Sequence, residues 1–215
     1  MNELITITEK KAILDSQMVK DLILVEKQIK ELKESPKEII ILELEETFKH
    51  YLEINGTKVL VKGQIDRIDE VDGQCRIIDY KSGAVTEKDL EGSTVEEDIT
   101  KLKEKWLQLM IYAWLYNRDK NHIPKHDSGK PVEAGIYPLR NFSADLMKVK
   151  IVNDRTNHPN KITLEILDDI EAILHRLIGE IQHVSYVEAG GREVSSSRNH
   201  LFLQHHHTWQ YQCNV

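Results

Sequence analysis

The dipeptide Asp72-Gly73, with apolar and β-branched residues on either side, constrains the fold of this chain more than any other feature. Both residues tolerate the positive φ angles of a two-residue hairpin loop. With that loop, Val71 faces Gln74, and the register follows: Asp69 faces Arg76, Arg67 faces Ile78 and Asp66 faces Asp79. Opposite charges across a ladder are mildly stabilising, which accounts for Asp69 and Arg76. Asp66 and Asp79 have no such account, because two carboxylates about 5 Å apart at Cβ repel, and burial then raises a pKa or costs stability. Lys81 lies two residues beyond Asp79, so strand alternation puts its ammonium on the same face. One ammonium against two carboxylates leaves a net negative pocket. Such a pocket suits a hard divalent cation with oxygen ligands, magnesium or manganese.

The rest of the chain supplies a setting for this hairpin. Leu14, Met18, Leu22, Val25, Ile29 and Leu32 recur at helical spacing, so residues 8–34 are expected to form an amphipathic helix that Ser35-Pro36 ends. Asn55-Gly56 is a second hairpin signal, and residues 37–81 read as three antiparallel strands with Thr57–Glu70 central. Leu102, Trp106, Leu109, Met110, Ala113 and Trp114 give a helix over 101–117 that packs on the sheet. A strand over 132–139 and a closing amphipathic helix over 164–184 follow. From Ala189 the pattern breaks into Gly-Gly, serines and His205-His206-His207, so 189–215 is expected to be an irregular tail.

At 215 residues, with 40% hydrophobic and 30% charged content, the chain suffices for one domain with a buried core, here 1–188. There is no run of 18 apolar residues and no charged-then-apolar leader, which implies a soluble, cytoplasmic protein without a membrane partner. Cys75 and Cys213 make neither a metal spacing nor a disulfide framework, in keeping with a reducing compartment. The formal net charge of -7 argues against a free-standing DNA binder that relies on surplus Lys and Arg.

Gly63-x-x-Asp66-Arg67-x-Asp69, then Ile78-Asp79-Tyr80-Lys81-Ser82-Gly83, then Gln108-x-x-x-Tyr112, resembles the RecB-like branch of the PD-(D/E)XK nuclease superfamily. The resemblance implies an α/β fold with a restriction-endonuclease-like αβββαβ core, a central mixed sheet flanked by helices and a C-terminal helix. The order helix, three strands, helix, strand read from periodicity agrees with it. It further implies a metal-dependent deoxyribonuclease. Asp66, Asp79 and the main-chain carbonyl of Tyr80 are then metal ligands, Asp66, Asp79 and Lys81 the catalytic residues, and Gln108 and Tyr112 border the site and contact the DNA backbone or brace the metal-side strand. Magnesium or manganese is the implied cofactor and DNA the implied partner. Exonucleolytic action in recombination or repair, beside a helicase partner or helicase domain, is the implied biology. A catalytically impaired DNA-binding or assembly module is the alternative.

Two departures from that family carry expectations of their own. Relatives often end in a cysteine cluster that holds an iron–sulfur centre, whereas Cys213 stands alone, so no iron–sulfur cluster is expected. Many also have an upstream histidine that assists at the metal; His50, on a strand, is a poor substitute, which implies the C-terminal portion of a longer protein or a minimal version. Glu26 on the first helix is read as solvated or salt-bridged rather than as an auxiliary ligand, and Glu43, Glu45 and Glu46 as outward-facing. Asp69 is read as the partner of Arg76, Arg67 as packed or paired on the face opposite Asp66, Cys75 as a small buried hydrophobe, and the three histidines as a surface tract.

Overall fold

Two tight turns organise the sheet. Strand β1 (Ile39–Ile54) meets β2 (Thr57–Val71) through Asn55-Gly56, and β2 meets β3 (Gln74–Lys81) through Asp72-Gly73. All four turn residues have positive φ, between 51° and 76°, the geometry whose twist matches that of paired strands. The β2–β3 ladder has the expected register: Val71 opposite Gln74, Asp69 opposite Arg76 and Arg67 opposite Ile78.

The computed structural model describes residues 22, 26, 29, 30, 33, 39–95, 101–119, 130–140, 145–152, 160–188 and 209–214. After β3 come a short 3-10 turn at Glu87–Leu90, β4 (Glu91–Gly92), α1 (Glu104–Arg118), β5 (Glu133–Pro138), β6 (Met147–Lys148), β7 (Lys150–Ile151), α2 (Leu164–Glu188) and β8 (Trp209–Asn214). The main sheet runs β1-β2-β3-β5-β6, with β5 parallel to β3 and the other pairs antiparallel. The α/β class and the mixed central sheet flanked by helices therefore hold. Among the described residues no helix is long and apolar enough to cross a membrane.

Helix α1 links β3 to its parallel neighbour β5, and every residue from Trp106 to Tyr116 is buried. A helix apolar on all sides needs cover on all sides. The sheet covers one face and α2 the other, where Trp114 Nε1 donates to Glu171 Oε2 at 3.0 Å and Arg118 Nε to the same oxygen at 3.1 Å. Its exclusion of water turns the sheet face beneath it into a low-dielectric wall for any charge placed there.

Four expectations need correction or completion. The first of the three expected strands runs unbroken over Ile39–Ile54, because the glutamates in it are tolerated on an edge strand exposed to water. The irregular tail is corrected over Trp209–Asn214, which pair antiparallel with Lys58–Gly63 in the part of β2 that β3 is too short to reach. Of the first helix, Leu22, Glu26, Ile29, Lys30 and Lys33 are helical and exposed, including the two apolar positions expected to be covered, Leu22 at 59% and Ile29 at 44%. The remainder of that helix and the three histidines lie outside the described residues.

Candidate metal and active site

The β2–β3 ladder stops at Arg67 opposite Ile78. One residue further, Asp66 reaches across the strand gap, and the main-chain N–H of Tyr80 donates to its Oδ2 at 2.8 Å. A side chain thus substitutes for a ladder acceptor at the position that lies between Asp79 and Lys81.

A change in the pleat of β2 turns Asp66 this way. Along β2 the residues in the apolar core carry odd numbers at Val59, Val61 and Ile65 but an even number at Ile68. Strict alternation would put Ile68 on the other face, so the pleat shifts by one residue between Ile65 and Ile68. Across this point the register to β1 is kept, with Leu44 opposite Arg67 and Glu46 opposite Ile65, and Glu45 between them has a φ of 50°; the register shift between the two strands lies further along, between Ile41 and Glu43. A left-handed backbone at a non-glycine residue costs on the order of 1 kcal/mol or more. The return on that strain is an Asp66 carboxylate on the same side as Asp79 and α1.

Asp79 is 2% exposed, and Lys81 Nζ lies 3.2 Å from its Oδ2. Burial pushes the Asp79 carboxyl up, Lys81 opposes that, and the charge of Asp66 adds to it, leaving the group at about 7. Asp79 Oδ2 is buried, and among the described residues the Lys81 ammonium is the one cation placed against it. Two neighbouring carboxylates, one of them buried, against a single ammonium fit a hard cation that takes oxygen ligands. Among the described residues no cluster of three His, Cys, Asp or Glu side chains exists. The available set is therefore the two carboxylates with a main-chain carbonyl such as that of Tyr80, a count compatible with an ion that keeps several waters.

Gln108 and Tyr112 sit one turn apart on the sheet-facing side of α1, and Gln108 Nε2 donates to the Tyr112 hydroxyl at 2.8 Å. Both are buried, at 5% and 2% exposure. The Tyr112 phenol is held well above its usual range, by burial first and then by the charges of Asp79 and Asp66, with Gln108 opposing. It stays protonated. Gly63 makes this approach possible: a Cβ there would stand 2.9 Å from Tyr112 Cε1 and 3.2 Å from Leu115 Cδ1.

The opposite face of the hairpin carries its own charges. Arg76 grips Asp69 with Nε to Oδ1 at 2.7 Å and Nη2 to Oδ2 at 2.8 Å, and Arg67 Nη2 pairs with the same carboxylate. Arg67 Nη1 also donates to the Tyr80 hydroxyl at 3.3 Å, and the Tyr80 ring stacks on Tyr137 with centroids 6.0 Å apart. The Asp69–Arg76 pair is as expected, and Arg67 is paired on the face away from Asp66. What the sequence did not disclose is that Tyr80 touches both sides, through its amide to Asp66 and its hydroxyl to Arg67. The signal for it, Tyr80 sitting between two residues of one face, is common to any strand.

The remaining candidates stay apart from this centre. Glu26 is exposed on its helix, and Glu45 is exposed on β1. His50 lies on β1 opposite Val61, its ring edge-on to Trp114 at 5.3 Å. Cys75 is fully buried, with its thiol pushed up to about 12 by burial, so it is an inert core residue.

A search of curated proteins found no match. A family model described as the PD-(D/E)XK nuclease superfamily matches residues 9–192, a span that takes in the hairpin, α1, β5 and α2. With paired strand carboxylates, an adjacent lysine and a mixed sheet around them, the chain belongs to the PD-(D/E)XK nuclease superfamily.

Proposed function

We propose that this protein is a divalent-metal-dependent DNA nuclease in which Asp66, Asp79 and Lys81 are the catalytic residues. Superfamily membership supports phosphodiester hydrolysis with DNA as substrate and a divalent metal as cofactor. The observation that carries the site is Asp79, a buried carboxylate beside the charge of Asp66 with Lys81 Nζ 3.2 Å from its Oδ2.

Asp66, Asp79 and the main-chain carbonyl of Tyr80 hold the cation, magnesium or manganese. A cation held there supplies charge neutralisation and polarisation at the phosphoryl group. The Tyr80 amide fixes Asp66 Oδ2 and so fixes the orientation of that carboxylate before any ion arrives. Lys81, anchored 3.2 Å from Asp79, orients the attacking water and offsets the negative charge that grows on the phosphoryl oxygens. Gln108 and Tyr112 brace the wall behind the carboxylates; being buried and bonded to each other, they are better suited to that than to touching a DNA backbone.

The motif Gly63-x-x-Asp66-Arg67-x-Asp69 with Asp79-x-Lys81-Ser82-Gly83 and Gln108-x-x-x-Tyr112 supports assignment to the RecB-like branch. On that assignment the reaction is exonucleolytic, at DNA ends, in recombination or repair in the cytoplasm, beside a helicase. A net charge of -7 supports the need for a partner to hold the DNA. The test is manganese calorimetry on wild type and Asp79→Ala, with cleavage of linear DNA by wild type and Lys81→Ala. Equal heats would remove the metal site; cleavage surviving in Lys81→Ala would move the chemistry elsewhere. Metal-dependent DNA binding with no cleavage by wild type would establish the catalytically impaired module instead.

A further inference from the structure

A groove of about 700 Å³ opens at the C-terminal ends of β3 and β5. It starts where Lys81 stops. Gly83, Ala84 and Val85, which continue the chain from β3, form one wall, and Pro138, the cross-strand neighbour of Lys81 in β5, lies in the floor. The Leu139 amide donates to the Lys81 carbonyl at 2.8 Å and ties the two strand ends together. Two residues along a strand span about 7 Å and one strand spacing about 5 Å, so the groove begins within a short reach of Lys81.

Its lining is divided by chemistry. Val85, Leu90, Pro138 and Met147 give an apolar floor. Of its three cations, Lys150 is paired with Glu91 at 3.1 Å and Lys148 with Glu133 at 2.7 Å. Arg140 is exposed and has no acidic partner among the described residues. Glu87 and Asp145, both exposed, also line the groove.

We propose that this groove is a subsite for one nucleotide flanking the phosphate that is cut, with Arg140 binding its phosphodiester and the apolar floor carrying its base. The inference rests on the nuclease reading above and deepens it. A guanidinium presents paired N–H donors that match phosphate oxygens, and Arg140 has no ion pair to give up among the described residues. Every base has an apolar face, so an apolar floor accepts any of them. The two exposed carboxylates repel a second phosphate, so the groove holds a single step of the strand and does not track a long backbone. An overall acidic chain can engage nucleic acid in this way, through one anchored phosphate beside the metal site.

The test is fluorescence anisotropy with a labelled single-stranded oligodeoxynucleotide and the full chain in EDTA, comparing wild type, Arg140→Ala and Arg140→Lys. Arg140→Ala is expected to weaken binding about fivefold to tenfold and to reduce the salt slope by about one, with Arg140→Lys recovering part of the affinity. Oligonucleotides carrying one neutral methylphosphonate, scanned along the strand, should weaken wild type at a single linkage and leave Arg140→Ala indifferent at that linkage. Equal affinities, or weakening with an unchanged salt slope, would overturn the subsite. Cleavage by wild type in manganese is read separately. Cutting with no Arg140 effect discards the subsite alone; an Arg140 effect without cutting discards the nuclease reading alone; no binding by wild type discards the subsite.

Discussion

Replacing Asp79 by Asn should make the metal-free protein more stable, and increasingly so as the pH rises. The Asp79 carboxyl moves from 3.8 to about 7 on folding, chiefly through burial. Between those values the folded chain holds a proton that the unfolded chain has released, so wild-type stability falls as pH rises through this window and the full cost is present above it. Roughly three pH units at about 1.4 kcal/mol each set a ceiling near 4 kcal/mol, and relaxation around the ion brings the expected gain of Asp79→Asn to about 2 kcal/mol at pH 8. Near pH 4 the carboxyl is protonated in the folded state and the two proteins should be within about 0.5 kcal/mol. Urea unfolding in EDTA across this range measures the difference. Manganese should then reverse the order, stabilising wild type by mass action while leaving Asp79→Asn unmoved. A gap independent of pH, or an Asn variant less stable at pH 8, would refute the view that Asp79 is held ionised at a cost.

The same geometry makes three further predictions. Lys81→Ala should reduce turnover on linear DNA about a hundredfold or more while manganese binding by calorimetry is retained, since the competing ammonium is gone. Gly63→Ala puts a methyl group against Tyr112 and should cost about 1–3 kcal/mol in denaturant unfolding, with a matching loss of metal affinity as the wall shifts. Asp69→Ala strands Arg67 and Arg76 on a covered face and should cost about 3–5 kcal/mol; a loss below about 1 kcal/mol would mean that the arginines reach water.

The hairpin was legible because its determinants are local. Asp72-Gly73 sets the turn, and the turn sets the register from Val71 opposite Gln74 to Arg67 opposite Ile78, where the ladder ends. Helix α1, α2 and β5 followed from periodicity, with ends within a few residues. What escaped the sequence depends on contacts distant along the chain. Trp209–Asn214 becomes a strand because β3 pairs only with Arg67–Val71 and leaves the earlier part of that side of β2 open to it. The change of pleat near Asp66 is accompanied on β1 by Glu45, whose left-handed backbone no residue preference announces. Spacing puts Gln108 and Tyr112 on one helix face, their place at the border of a site came from the family resemblance, and the packing of α1 over Gly63 puts Tyr112 against the sheet. Arg140 belongs to no motif, and its setting is made by strand ends that meet in space.

Strand β3 is hydrogen-bonded along both of its edges, to β2 and to β5. An outermost strand carrying like charges could relieve their repulsion by peeling away, but an interior one has no such escape. The fold therefore keeps its electrostatic tension loaded, like a spring whose ends are clamped. In the proposed site a bound ion would relax that tension on strands already held in place, so that the energy of capture would go to holding substrate instead of ordering the protein.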